Sequence, residues 1–174
     1  MENVRKTVSQ LLNEFGKVVI GYDDAKRKII LALLADVHVL LESVPGLAKT
    51  LLIETLQQTI SGSTSGRIQF TPDLKPQDII GFRVFNQGTR QFEDEPGPVI
   101  GNNFVLADEI NRAPGKTQAA LLMAMQERRV AIARNIYRLS DPFLVLATMN
   151  PIEVRSFSIE SSSPSETSSG AVRS

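Results

Sequence analysis

Lys49 and Thr50 stand at the end of a loop of small residues in the segment LLESVPGLAKTLL, residues 40–52. An apolar run leads into that loop and a second apolar run leaves it, the layout of a strand, a phosphate-binding loop and a helix. Several backbone N–H groups can then turn toward one point at a helix N-terminus, whose dipole favours anions. Lys49 would reach the outer phosphates, and the Thr50 hydroxyl would bind Mg²⁺. The strict G-x-x-x-x-G-K-[ST] pattern is not met: Ser43 and Ala48 occupy the two outer glycine positions, and Gly46 lies between them. Ala48 suits the right-handed start of a helix. Ser43 is harder to accommodate if its position needs a positive φ. The segment also reads as a strand–turn–helix with a surface lysine.

A second constellation is FVLADEIN, residues 104–111. A buried strand that ends in Asp108 and Glu109 is unusual, because unpaired buried carboxylates are costly. A metal ion removes that cost: the first acid supports Mg²⁺, and the next can polarise an attacking water. The plainer alternative is a helix-capping Asp with a solvated Glu. In a third segment, FLVLATMN (residues 143–150), a buried strand ends in Thr148 and Asn150. The Asn150 amide could position a water beside a terminal phosphate, or simply form a turn. In an open parallel sheet, ligands bind at the carboxyl ends of the strands, and all three polar groups fall at such ends.

The elements that must position these groups follow from apolar spacing. Val4, Val8, Leu11, Leu12 and Phe15 recur at helical intervals, which predicts a helix over 3–16. Asp23 and Asp24 suit the N-terminus of a second helix that continues from Ala25 to Leu34. Strands are expected at 37–41, 67–70, 104–107 and 143–148, and helices at 49–60 and 116–126, the latter with Leu121, Leu122 and Met125 on one face. Short apolar strands alternating with helices imply a parallel sheet covered on both faces. Residues 82–93 alternate around Asn86, Gln87 and Gly88 and read as a β-hairpin; 128–139 form a weaker second one around Ala133 to Asn135. After Glu153 the sequence turns Ser-rich and loses apolar periodicity. Two parts are therefore expected, an ordered core over 1–153 and a disordered tail over 154–174.

Composition narrows the chemistry further. The 174 residues carry 19 Lys and Arg against 19 Asp and Glu, so the formal net charge is zero. Such balance argues against a dedicated nucleic-acid surface, and a nucleic-acid remodeller is disfavoured. The chain has no cysteine, which excludes disulfides, thiolate metal sites and thiol catalysis. A single histidine, His38, excludes multi-histidine metal sites. No apolar run reaches the ~20 residues needed to span a bilayer. The first ten residues lack the apolar stretch of a signal peptide, so the cytoplasm is the expected compartment.

VPGLAKT, RIQFTPDLKPQDIIG, PGPVIGNNFVLADEINRAPGKTQAALLMAMQERRV and FLVLATMNPIE together resemble the MoxR family of AAA+ ATPases over about residues 3–153. The resemblance implies an α/β fold, the three-layer αβα sandwich of a P-loop NTPase. Its parallel sheet would have strand order 5-1-4-3-2, with the hairpin at 82–93 as an insert in helix 2 and the hairpin at 128–139 preceding sensor 1. It implies ATP and Mg²⁺ as ligands. Pro45, Gly46, Leu47, Ala48, Lys49 and Thr50 would form Walker A, with Leu51 following on the helix. Asp108 and Glu109 would form Walker B, Glu109 being the catalytic base, and Asn150 would be sensor 1. Val19, Ile20 and Gly21 would line the adenine pocket. Ala48 is usual in the family, Ser43 less so, and Met149 replaces a more common Gln. Relatives form rings, hexameric by family resemblance, act as chaperone-like ATPases, and often pair with von Willebrand factor A-domain proteins.

Beyond Glu153 the family continues to an Asp-Arg-Phe motif, a fifth strand and a helical lid bearing sensor 2. None of these is found here, and neither Arg155 nor Arg173 sits in a motif that would make it an arginine finger. A truncated or frame-shifted product, or a fragment, is the expectation. Mg²⁺-dependent ATP hydrolysis would then be slow or absent and nucleotide binding weakened. The alternative is a non-hydrolysing nucleotide-binding or protein-interaction fragment.

Overall fold

The computed structural model describes residues 2–42 and 48–149. The expectations for Ser43, Pro45, Gly46, Leu47, Asn150, the missing fifth strand and the Ser-rich tail lie outside those residues.

Two helices open the chain, α1 (Glu2–Val18) and α2 (Asp23–Leu34). On α1, Val8, Leu11 and Leu12 are half-buried and Phe15 is fully buried, so the helical spacing of apolar residues is the face that packs. Strand β1 (Val39–Glu42) leads toward α3 (Ala48–Thr59), and β2 (Ser65–Gln69) follows. Val37, expected in β1, belongs instead to the close of α2. Its N–H bonds the Ala32 carbonyl at 2.9 Å, and Asp36 turns the chain with φ 52°.

A short helix, α4 (Pro76–Ile80), then precedes the hairpin β3 (Gly81–Asn86) and β4 (Gln91–Pro96). The segment 76–80 was not expected to be helical, although its signals are local. Pro76 stands at the first helical position, and the Asp78 carboxylate accepts the Lys75 N–H at 2.8 Å. The chain enters and leaves this hairpin through Gly81 and Gly97. A Cβ there would meet the Glu95 carbonyl at 2.4 Å or the Ile79 carbonyl at 2.2 Å, so only glycine lets the hairpin base close onto α4. At the tip, the Asn86 side chain accepts the N–H groups of Gly88 and Thr89 at 2.9 and 3.2 Å.

Strand β5 (Phe104–Asp108) runs into a single 3₁₀ turn at Ile110–Arg112 and then α5 (Gly115–Glu127). On α5, Thr117, Leu121 and Ala124 are buried, whereas Leu122 is 49 % exposed. The expected grouping of Leu122 with Leu121 is corrected, because consecutive helical residues diverge by about 100° while i and i+4 share a face. A second hairpin, β6 (Arg129–Ile132) and β7 (Asn135–Arg138), precedes the last described strand, β8 (Leu144–Met149).

The four long-range strands form one parallel sheet in the order β1-β8-β5-β2. Counted as the first to fourth sheet strands, that order is 1-4-3-2. Strands β5 and β8 lie at its centre and are apolar up to their carboxyl ends, over Phe104–Ala107 and Leu144–Ala147, because both of their faces are covered. Phe104, Leu106, Leu144 and Leu146 point into one cluster with Phe15, Leu52 and Leu56, while Val105, Ala107, Val145 and Ala147 point into the other with Phe70, Ile79 and Leu121. The result is three layers, with the hairpins as separate two-stranded sheets. Among the described residues β1 is an edge strand, and its Leu40 stays 55 % exposed.

Asp94 joins the two hairpins. Its carboxylate, with side-chain exposure of 4 %, accepts from Arg83 Nε at 2.6 Å, Asn135 Nδ2 at 2.6 Å and Tyr137 Oη at 2.8 Å. The Arg83 guanidinium, with help from Tyr137 and Asn135, lowers the carboxyl to about 2.

His38 sits at the opposite end of the sheet from the strand termini described below. Its Nδ1 accepts the Val145 N–H at 3.1 Å, and its ring meets Phe143 edge-on at 5.8 Å. Burial, reinforced by the Arg128 cation and opposed by a backbone bond at Met125 and by Asp36, lowers the imidazole below its usual range. The unfolded chain therefore binds this proton first. The neutral ring contributes stability that is present above pH ~6.5 and is lost as pH falls through the lower folded value. As this is the chain's one histidine, unfolding midpoints are expected to drop between pH 7.5 and 5.5 in the wild type and to drop less in His38→Gln. An equal fall of the urea midpoint between pH 7.5 and 5.5 in the two proteins would refute this assignment.

Candidate functional site

The carboxyl ends of the parallel strands meet on one edge. Register sets Gln69 beside Asp108 and Ala107 beside Ala147, so the next residue of each central strand, Asp108 and Thr148, are neighbours across the sheet.

Asp108 is largely buried, with side-chain exposure of 16 %. Its Oδ1 accepts the Thr148 hydroxyl at 2.6 Å, and its Oδ2 accepts Arg67 Nη2 at 2.8 Å. Burial is the strongest influence on this carboxyl and pushes it up. The Thr148 hydroxyl, the Arg67 guanidinium and the Lys49 ammonium together outweigh it, so Asp108 titrates below the ordinary carboxylate range and is ionised at neutral pH. The Lys49 contribution ties the first turn of α3 electrostatically to the end of β5.

Glu109 follows in a left-handed conformation, φ 57° and ψ 48°, which is uncommon for a residue with a Cβ. That turn breaks the strand and carries the side chain out of the sheet plane. Its Oε2 accepts Gln69 Nε2 at 3.0 Å and Arg112 Nη1 at 2.9 Å. Its backbone N–H donates to the Thr148 hydroxyl at 3.0 Å. Arg67 and Gln69, one strand away on β2, were not foreseen as site residues. Their alternation on a strand was the available signal, but only the sheet order shows that this strand flanks the acids.

Lys49 and Thr50 lie in the first turn of α3, both half-buried, with Leu51 next at 39 % exposure. Ala48 opens that helix. The segment expected around adenine divides in two. Val19 is buried in the same apolar cluster as Leu52 and Ile53 of α3, which brings this turn close to α3. Ile20 is 90 % exposed, and Gly21 turns the chain with φ 77°. Lys26 secures the turn: its side chain, 5 % exposed as a residue, donates to the Val19 carbonyl at 3.1 Å and pairs with Asp23 at 2.7 Å.

The donor set fits a nucleotide-borne magnesium. One ionised carboxylate feels the charge of Lys49, which shares the first turn of α3 with Thr50, and phosphate oxygens and water would complete the coordination there. Among the described residues no three His, Cys, Asp or Glu side chains cluster as a protein-only cage. No described helix is long and apolar enough to cross a membrane.

A parallel sheet in this order, with a lysine-threonine helix start and an Asp-Glu strand end on one edge, defines the class of P-loop ATPases. The family model for "ATPase family associated with various cellular activities (AAA)" matches residues 38–161. Chaperone MoxR1 of Mycobacterium tuberculosis is 51 % identical over 147 residues, spanning 84 % of this chain and 38 % of the relative. The uncharacterized protein YeaC of Bacillus subtilis is 45 % identical over 152 residues, 87 % of this chain and 47 % of the relative. A crystal structure of an ATPase candidate from Cytophaga hutchinsonii superposes with TM-score 0.76 at 48 % identity, covering 85 % of this chain and 44 % of that one. The chain belongs to the AAA ATPase family, in its MoxR branch. It spans less than half the length of each of these relatives.

Proposed function

We propose that this chain binds ATP with Mg²⁺ at the carboxyl edge of its sheet and carries the groups that convert ATP and water to ADP and phosphate. The observation that carries this reading is the electrostatic meeting of Lys49 with the ionised Asp108, flanked by Glu109. Lys49 would neutralise phosphate charge, while Thr50 and Asp108 would hold the metal. Glu109 would accept the proton of the attacking water, and Asn150 would orient that water. Pro45 to Leu51 would wrap the phosphates, and Ile20 and Gly21 would border the base. When bound, magnesium would supply charge neutralisation on the phosphate oxygens. Ring assembly, chaperone-like work on other proteins and a von Willebrand factor A-domain partner extend the reading by resemblance to the MoxR family.

The test is titration of the purified chain with a fluorescent ATP analogue, in Mg²⁺ and in EDTA, alongside phosphate release. Binding is expected to be Mg²⁺-dependent and to weaken about 10–100-fold in Lys49→Ala, the range for losing charge-assisted bonds. Absence of measurable binding in Mg²⁺, or binding indifferent to Lys49, rules the reading out.

A second reading is a protein-interaction module. It is favoured by Phe85 and Phe92, 52 % and 68 % exposed and stacked edge-on at 5.2 Å near the tip of the β3–β4 hairpin. A groove of about 410 Å³ between α5 and the β6–β7 hairpin, lined in part by Met123, Val130 and Ile136, is a second apolar surface.

A further inference from the structure

Thr148, the last but one residue of the central strand β8, is 0 % exposed, and its hydroxyl is engaged on both sides. It donates to Asp108 Oδ1 at 2.6 Å and accepts the Glu109 N–H at 3.0 Å. The direction is fixed by chemistry. An ionised carboxylate can only accept, so the single hydroxyl proton goes to Asp108 and a lone pair faces the Glu109 amide.

The two bonds do different things. The first pins one oxygen of Asp108. The other oxygen is held by Arg67, whose side chain is 52 % exposed and can swing into solvent. The second bond anchors the left-handed backbone of Glu109, and with it the direction in which that carboxylate leaves the sheet. Asp108 and Glu109 are neighbours in sequence, yet one side chain from another strand orients the carboxylate of one and the main chain of the other.

We propose that Thr148 is a positioning residue that sets the metal-side carboxylate of Asp108 and the base-bearing turn at Glu109 relative to one another. It acts through the two acids and touches no ligand itself. The inference rests on the ATP-site reading above. If Thr148 were only a satisfied buried residue of the strand, its loss would lower stability and leave ligand response unchanged.

Thr148→Val keeps the shape and removes the hydroxyl, which leaves Asp108 Oδ1 and the Glu109 N–H without this partner. Thr148→Ser keeps the hydroxyl, and Thr148→Cys keeps a weaker donor. Each variant of the full chain is titrated with Mg²⁺ at fixed fluorescent ATP analogue, and steady-state phosphate release is measured in parallel. The Mg²⁺ concentration for half-maximal binding is expected to rise about tenfold in Thr148→Val, with kcat down about 10–100-fold and KM changed less than threefold. Thr148→Ser should stay within about threefold of wild type on every readout, and Thr148→Cys should fall between Ser and Val. Should Thr148→Val fail to fold, the Ser and Cys pair decides. Equal Mg²⁺ midpoints for the two overturn the proposal, and a higher midpoint for Cys supports it. Wild-type binding that needs Mg²⁺, together with a Val variant that matches wild type, overturns this inference alone. Wild type that binds no nucleotide overturns the site reading and this inference together.

Discussion

Glu109→Gln is expected to keep nucleotide affinity within about threefold while phosphate release falls by about 10²–10⁴-fold, the range for loss of a general base. The amide is nearly isosteric with the carboxylate and can still meet Gln69 and Arg112, which lie at 3.0 and 2.9 Å from the native side chain. The Glu109 backbone bond to Thr148 does not depend on the side chain at all. Geometry is therefore retained, and the capacity to take a proton from water is lost. The measurement is single-turnover phosphate release beside equilibrium binding on the same preparations. A variant that still hydrolyses at the wild-type rate would remove Glu109 from the chemistry. If both proteins bind ATP and neither turns it over above background, the non-hydrolysing reading prevails.

The second large effect concerns stability. Leu106→Ala should cost about 2–5 kcal/mol, and toward the upper part of that range, because the side chain is fully enclosed. Leu106 lies on β5, 0 % exposed, in the same cluster as Phe15, Leu52, Leu56 and Leu146. The chain cannot collapse into the void, since β5 is held on both sides by β2 and β8. Against a typical domain stability of ~5–15 kcal/mol, the loss is large enough to unfold an appreciable fraction near body temperature. Leu40→Ala is the matched contrast. Its side chain is 55 % exposed on the edge strand, so its cost should stay within about 0.5 kcal/mol. Urea midpoints at unchanged slope distinguish the two. A Leu106 variant as stable as the Leu40 variant would contradict the two-faced core.

Much of the fold is legible in the sequence. Phe104 to Ala107 and Phe143 to Ala147 are apolar at every position rather than at alternate ones, which marks strands covered on both faces. Lys49-Thr50 and Asp108-Glu109 betray themselves as polar pairs attached to apolar runs, because burying such groups needs a compensating partner. The MoxR resemblance assigned them ATP-site roles, and the fold places them on one edge. The small errors have local causes. Val37 is apolar enough for a strand but is claimed by the closing turn of α2, and Leu122 is a leucine facing solvent. The helix α4 is short enough that its capping residues outweigh any periodicity.

Residue types and spacing alone determined most of the helices and strands, α4 excepted, and showed that two strand ends carry acids and a threonine, since these follow from local propensity and burial. Tertiary structure decided which strand ends stand next to which. Thr148 reaches Asp108 across about 40 positions of chain, and Gln69 reaches Glu109 across a similar gap. Such neighbours depend on the β1-β8-β5-β2 order and on parallel register. Register between strands so far apart is fixed by how the two apolar faces pack, and no local pattern encodes it.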